Sequence, residues 1–187
     1  LGQRMQLVRN EIANSNYIIA WGNNPVISMT GYFGRFQEML REFPAETLHE
    51  TIPLFHNTTN RYRIFRKALQ YDLAGRAAGV PDDIRFALDR EQEAGTLCSL
   101  LDSGELPLRV THNDTKLNNV LFDRRTRKAL CVLDLDTVMP GSSLYDYGDS
   151  IRFGAATAAE DEKDLSKMGI NLHLFQVYTA GYLAACK

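Results

Sequence analysis

The chain has 187 residues, of which 44% are hydrophobic and 24% are charged, and its formal net charge is −2. This near-neutral balance gives no electrostatic reason to expect nucleic acid or an anionic membrane surface as a partner. No apolar run reaches the ~20 residues that span a bilayer, and no basic-then-apolar leader is visible, so we also expect no membrane association.

The three cysteines are widely spaced and odd in number: Cys98, Cys131 and Cys186. Cys131 lies inside an apolar strand pattern. Buried thiols in a reducing compartment explain this usage better than a disulfide or a metal site. We therefore predict a cytoplasmic protein.

The chain begins with a segment, 1–28, that the sequence leaves unassigned, as an N-terminal piece or the remnant of a linker. Within it, 17–21 suit a short strand, and a Gly-Asn-Asn-Pro turn follows at 22–25. From 31 to 43, apolar residues recur every three or four positions, which predicts a helix that stops at Pro44. The predicted apolar face of this helix carries Phe33, Phe36, Met39, Leu40 and Phe43.

The middle of the chain predicts two further helices. The first runs from Arg61 to Leu73. The second opens at Pro81, because proline and the acids after it suit a first helical turn, and it continues to a stop at Gly104. The stretch 45–59 reads as an irregular connection, and no carboxylate cluster accompanies its histidines as a metal site would require.

The most informative stretch is 110–140. Two short apolar runs, 119–122 and 130–133, flank a polar connection and predict a β-hairpin. Polar side chains cluster at both ends of this hairpin. Those before the first strand are His112, Asp114, Lys116 and Asn119, and those after the second are Asp134 and Asp136.

This spacing suits phosphoryl transfer. The reaction needs a carboxylate that orients and deprotonates the acceptor hydroxyl, and oxygen ligands that hold magnesium on the phosphates of ATP. In protein kinases the catalytic loop reads H-R-D-x-x-x-x-N, and the metal-binding Asp follows the next strand. Here Asp114 follows a histidine by two residues, Asn119 comes at the same interval, and Asp134 ends the next apolar run. The alternative for the acids at 134 and 136 is that they merely end a strand.

The segment resembles the aminoglycoside-phosphotransferase-like kinases, which share the protein-kinase fold and include choline and homoserine kinases. It looks closest to the N-acetylhexosamine 1-kinase branch, on the wording of 112–121, 133–141, 34–37, 48–53 and 145–149. The resemblance covers 31–187. It implies an α+β, mostly α-helical fold: the C-terminal lobe of a protein-kinase-like fold, with a small β-hairpin that carries the catalytic loop and the metal-binding Asp.

The resemblance also assigns catalytic roles. Asp114 matches the catalytic base, and His112 matches the histidine that braces the loop, a structural role rather than that of a proton carrier. Lys116 lies two residues after the base, within reach of the transferring phosphate. An ordinary solvated lysine is the alternative for that position.

Cofactor binding follows from the same resemblance, which implies ATP and Mg²⁺. Asn119 and Asp134 match the magnesium ligands, and Asp136 is a further carboxylate for a second metal or for support behind the first. Leu121 and Leu133 lie where such kinases place apolar side chains against the adenine ring.

After the hairpin, the pattern predicts a helix at 144–153 and a last helix at 171–185, joined by the charge-rich connection 158–167. Asp146 and Asp149 lie near the start of the first of these helices. We expect one of them to cap the helix or to brace the catalytic loop.

We therefore expect a kinase that transfers the γ-phosphate of ATP to a hydroxyl of a small molecule, such as an N-acetylhexosamine sugar. Arg152 and Phe153 are candidates for the acceptor pocket, although a core position suits the phenylalanine equally well. The alternatives are a kinase for an aminoglycoside or a choline-like amino alcohol, and a non-catalytic binding lobe of the same family.

The domain expectation is a kinase-like lobe at 29–187 without the N-terminal lobe that clamps the nucleotide. The sequence shows no glycine-rich phosphate loop and no strand with the lysine that pairs with the phosphates. We expect little turnover from these residues alone. We also expect the face left open to favour self-association.

Overall fold

A computed structural model describes residues 33–126 and 129–186. The segment 1–28, with its predicted strand and turn, lies outside the described residues, as does the start of the helix predicted at 31–43. The described chain is mostly helical, with two small antiparallel sheets, which confirms the α+β class. None of the helices in the described ranges has the length and apolar character needed to cross a membrane.

The described residues form two compact units. One combines the residues up to Thr51 with those from Arg109 onward, and the other is Ile52–Leu108. The candidate site residues predicted from the sequence all belong to the first unit. The single lobe predicted over 29–187 stays a prediction.

Residues 33–39 form the first helix, α1, which ends earlier than predicted. Phe33 is fully buried as expected, but Met39 on the same predicted face is 84% exposed. Gln37 is buried instead. The Gln37 side of the helix is buried, and the Gln37 amide donates hydrogen bonds there to the Val110 carbonyl and to Asp146 Oδ2.

The regular secondary structure of the second unit is all helical. Asn57 caps its first helix by accepting a hydrogen bond from the Asn60 N–H at 2.7 Å. The single helix predicted from 81 to 104 is wrong: it is three short helices, and Gly95, a poor helix former, separates the last two. The four helices are α2 (Thr58–Tyr71), α3 (Pro81–Leu88), α4 (Glu91–Ala94) and α5 (Thr96–Asp102).

The first unit is built on two short β-pairs. The predicted hairpin is confirmed, with Val120 opposite Val132. A second pair, Val110 opposite Pro140, was not predicted. The elements are β1 (Arg109–Thr111), β2 (Val120–Phe122), β3 (Ala129–Val132), β4 (Met139–Gly141), α6 (Ser143–Gly154) and α7 (Leu172–Ala185).

One face of the hairpin is buried against helices. Val120 packs in a cluster with Phe33 of α1 and with Tyr178 and Tyr182 of α7. Because successive strand side chains point to opposite faces, Leu121 points away from this core, and it is 45% exposed. The hairpin therefore anchors the chain on one side and presents an apolar face on the other.

Gly141 in β4 leaves no room for a side chain. A Cβ at this position would lie 2.6 Å from Thr111 Oγ1, which is held in place because it donates to the Met139 carbonyl at 2.9 Å. We expect Gly141→Ala to lower the free energy of unfolding by ~1–3 kcal/mol, measured by urea denaturation. Gly148→Ala, where a Cβ meets open space, is the control. Equal losses in the two variants would contradict this account of the β1–β4 contact.

Candidate active site

The His112 imidazole joins the loop after β1 to the end of β3. Its Nε2 lies 2.9 Å from the Leu133 carbonyl, which can only accept, so this hydrogen bond assigns the proton to Nε2. Its Nδ1 accepts from the Asp114 N–H at 3.3 Å. Phe33 and Phe36 meet the ring edge-on, with centroids 5.6 and 6.0 Å away. The ring is therefore fixed from several directions and fixes the loop in turn.

Three of the predicted site residues lie together: two predicted catalytic residues, Asp114 and Lys116, and the predicted magnesium ligand Asn119. Lys116 Nζ is 3.0 Å from Asp114 Oδ1, and Asn119 Nδ2 donates to Asp114 Oδ2 at 2.9 Å. The same Asn119 amide donates to the Asp114 carbonyl at 2.8 Å. The hydrogen bond with Asp114 raises the pKa of Lys116 above its ordinary value. The Asp114 carboxylate is thus oriented within the loop by the Lys116 ammonium and the Asn119 amide.

Asp146 of α6 holds the backbone of this loop. Its Oδ2 accepts from the His112 N–H at 3.0 Å and from Gln37 Nε2 at 2.7 Å, and its Oδ1 accepts from the Asn113 N–H at 2.8 Å. Asn113 has φ +66°, a left-handed conformation that asparagine tolerates. Burial raises the pKa of the Asp146 carboxyl, while these three donors oppose the rise. Asp146 therefore braces the loop, as we expected of one of the two acids near the start of α6.

Asp149, one turn later in α6, holds the next residue of the loop. Its Oδ2 accepts from the Thr115 N–H at 2.8 Å. Its Oδ1 accepts from Nε and Nη2 of Arg152 at 3.1 and 2.7 Å. Arg152 also pairs with Glu160, 2.6 Å away. Both acids near the start of α6 thus support the loop, rather than one of them.

The result is a loop fixed at every step. The backbone N–H groups of the four consecutive residues 112–115 each donate to a side-chain acceptor of the first unit. Rotamers and loop backbones that are held in advance need no ordering when a ligand binds. This arrangement positions Asp114 before any substrate arrives.

The two remaining predicted carboxylates follow β3. Asp134 has φ 60° and ψ 63°, and its exposed side chain makes no hydrogen bond to the described residues. Its neighbour Leu133 donates its N–H to the Asn119 carbonyl at 2.8 Å, which brings this stretch beside the loop. Asp136 also has an exposed side chain, and its carbonyl accepts from Thr51 Oγ1 at 3.1 Å.

The predicted pocket residues differ in their surroundings. Leu121, on the hairpin face opposite the core, is 45% exposed, and Leu133, directly after β3, is 36% exposed. Arg152 is engaged by two carboxylates instead of presenting a free guanidinium. Phe153 is half-buried in α6.

Sequence reasoning missed Gln37 and Glu160. Gln37 lies inside an apolar helical pattern, where periodicity assigns no role to a polar side chain. Glu160 lies in the charge-rich connection after α6, to which the sequence assigned no role at the site. Its hydrogen bond to Arg152 spans eight residues, and no local spacing rule marks such a pair.

Comparison with known protein families identifies the chain. Residues 29–170 match a family described as the phosphotransferase enzyme family, APH. The matched range is more than half of the chain and includes the 112–119 loop, the hairpin, Asp134 and α6. The chain therefore belongs to the APH phosphotransferase enzyme family.

Proposed function

We propose that this protein transfers the γ-phosphate of ATP, with magnesium, to a hydroxyl group of a small molecule. The observation that carries the proposal is the Asp114–Lys116–Asn119 cluster on a pre-positioned loop in a member of a phosphotransferase family. The acceptor we propose is a sugar such as an N-acetylhexosamine. The resemblance of 112–121 and 133–141 to N-acetylhexosamine 1-kinases supports that choice.

Asp114 is the proposed base. A general base must lie within hydrogen-bond reach of the proton that it abstracts. The acceptor hydroxyl donates to the Asp114 carboxylate, its oxygen attacks the γ-phosphorus, the proton passes to Asp114, and ADP leaves. Lys116 is 31% exposed, so its ammonium can contact a phosphate oxygen while it stays next to Asp114.

The side chains available for magnesium fit the ion. Asn119 uses its Nδ2 on Asp114, which leaves its Oδ1 as an acceptor, and the Asp134 carboxylate makes no bond within the part of the chain that the structure describes. Magnesium takes one or two carboxylates, with waters and substrate phosphates as its other ligands. Asp136 is a further carboxylate for the same purpose. When bound, the ion supplies positive charge to the phosphates.

No all-protein metal cage is needed for this proposal. The described residues contain no group of three or more His, Cys, Asp or Glu side chains arranged to hold a metal. Two oxygen ligands completed by ATP agree with that finding. We place the adenine against Leu121 and Leu133, because both apolar side chains are exposed.

We expect Asp134→Asn to weaken magnesium-dependent ATP binding by about tenfold or more. The reason is that the substitution removes the one carboxylate of the Asn119–Asp134 pair. Titration calorimetry with ATP, in magnesium and then in a chelator, measures the effect. Asp123→Asn, on the hairpin connection, is the matched control. Equal magnesium dependence in the two variants would rule out Asp134 as a ligand.

The function itself is tested by a coupled assay of ADP release with the full-length protein. Parallel reactions contain an N-acetylhexosamine, choline or an aminoglycoside as the acceptor. We expect acceptor-dependent ADP release with the N-acetylhexosamine. Release that depends on choline or an aminoglycoside would move the proposal to another acceptor. ATP binding without any acceptor-dependent release would favour a non-catalytic binding role.

A further inference from the structure

We propose that Arg152 sets the acceptor class by neutralising Asp149 and Glu160 beside the reactive end of the site, so that uncharged acceptors are favoured over cationic ones. The inference rests on the proposed function, because it concerns the acceptor of the same reaction. It assigns to Arg152 an electrostatic role in specificity, in place of the direct substrate contact expected from the sequence.

The location of these charges follows from the contacts of the loop. Asp149 holds the Thr115 N–H, and Thr115 lies between the proposed base and Lys116. The hydrogen bond with Asp114 raises the pKa of Lys116, and the nearby charges of Glu160 and Asp149 add to this rise. Both acids therefore act on the ammonium that sits 3.0 Å from the base.

Arg152 forms ion pairs with Asp149 and Glu160 at the same time. Nε and Nη2 contact one oxygen of Asp149, and Nη1 contacts Glu160. An arginine fork can serve two carboxylates in fixed directions, whereas a lysine ammonium is a single point charge. The guanidinium is 51% exposed and Glu160 is 44% exposed, so this pair is open to the solvent.

The net charge around the proposed base predicts whether cationic or neutral acceptors bind more tightly. Lys116 forms an ion pair with Asp114, and the Arg152 guanidinium forms ion pairs with both Asp149 and Glu160. These two cations and three anions carry a net charge of −1. Without Arg152 the same group would carry −2. A protonated amine near two uncovered carboxylates is attracted, while an N-acetyl group gains nothing from them.

Glucosamine and N-acetylglucosamine form a suitable pair of probes. They differ at one nitrogen, which is a protonated amine in the first at pH 6.5 and a neutral amide in the second. Dissociation constants for both are measured by calorimetry with the full-length wild-type protein and with Arg152→Met. Exposed ion pairs contribute little to stability, so the variant is expected to fold. Thermal melting checks this.

We expect Arg152→Met to shift the ratio of the two dissociation constants about tenfold towards glucosamine at low salt. The shift should shrink at high ionic strength, because screening weakens exposed charges. Arg152→Lys should give an intermediate shift. Adding Glu160→Gln to Arg152→Met should reverse part of the change. A purely structural role for Arg152 would weaken the binding of both sugars alike.

Arg85→Met is the matched control, since Arg85 also pairs with an Asp three residues earlier on a helix surface. It should leave the ratio unchanged. An unchanged ratio in Arg152→Met, or no binding of either sugar to any of the proteins, would overturn the inference. The proposed function fails by a different result, the absence of phosphate transfer to every acceptor tested with the wild-type protein.

Discussion

Asp114→Asn is expected to lower kcat by about 100- to 10,000-fold, the usual contribution of a general base. The amide cannot accept the proton of the acceptor hydroxyl, yet it keeps the size of the carboxylate. The loop should stay in place, because its backbone is held by His112, Asp146 and Asp149 rather than by the base itself. Steady-state kinetics with saturating ATP and acceptor measures the loss.

Two comparisons make this result specific. ATP affinity in Asp114→Asn should stay within a few-fold of wild type, which separates loss of chemistry from loss of binding. Asp123→Asn makes the same carboxylate-to-amide change in the hairpin connection, where Asp123 accepts from two backbone N–H groups, and should keep normal turnover. Turnover near the wild-type rate in Asp114→Asn would remove Asp114 from its assigned role.

Asp146→Ala is expected to have the largest effect on stability. It removes the acceptor of two backbone N–H groups and one of the two acceptors of the Gln37 amide, which also donates to the Val110 carbonyl. A buried donor without a partner costs ~1–3 kcal/mol, and removing one partner of a buried charged network costs ~3–5 kcal/mol. We expect a loss of ~3–5 kcal/mol in the free energy of unfolding, or failure to fold, measured by urea denaturation.

Asp161→Ala is the control for this change, because Asp161 is exposed on the connection after α6. It should alter the free energy of unfolding by less than ~0.5 kcal/mol. Asp146→Asn should also destabilise the protein, since its amide would point a donor at another donor. A loss below ~1 kcal/mol in Asp146→Ala would show that the three donors find other partners.

The elements predicted well are those with local signals. The helices predicted at 144–153 and 171–185 appear as α6 and α7. Each is preceded by a capping residue, Ser142 or Asn171, whose side chain accepts a hydrogen bond from an N–H of the first turn. The hairpin combines β-prone runs with a polar turn. In each case the residues that define the element lie within a few positions of one another.

The elements predicted poorly failed for different reasons. The β1–β4 pair joins residues about thirty positions apart through strands of three residues each, too short for a periodic signal. The helix predicted from 81 to 104 followed its apolar spacing but is interrupted near Gly95. The strand pair thus depends on a distant partner, whereas the break near Gly95 has a local cause, a poor helix former, that the apolar spacing did not reveal.

The candidate site divides in the same way. The interval between His112, Asp114 and Asn119 placed these residues in one loop, and in the structure Asp114 is hydrogen-bonded to both of the others. The support behind them was predicted only in part: a bracing acid at 146 or 149 was expected, whereas Gln37, which reaches Asp146 across 109 positions, was not. A buried glutamine in an apolar pattern becomes understandable only once its acceptor is known.

We propose that Asp114 promotes transfer of the ATP γ-phosphate to a hydroxyl of an N-acetylhexosamine. The most direct measurement is to incubate the full-length protein with magnesium, an N-acetylhexosamine and ATP labelled in its γ-phosphate, and to identify the labelled product by mass spectrometry. We predict a labelled sugar phosphate with the wild-type protein and almost none with Asp114→Asn. Label found only in inorganic phosphate, or equal sugar phosphate from both proteins, would contradict the account.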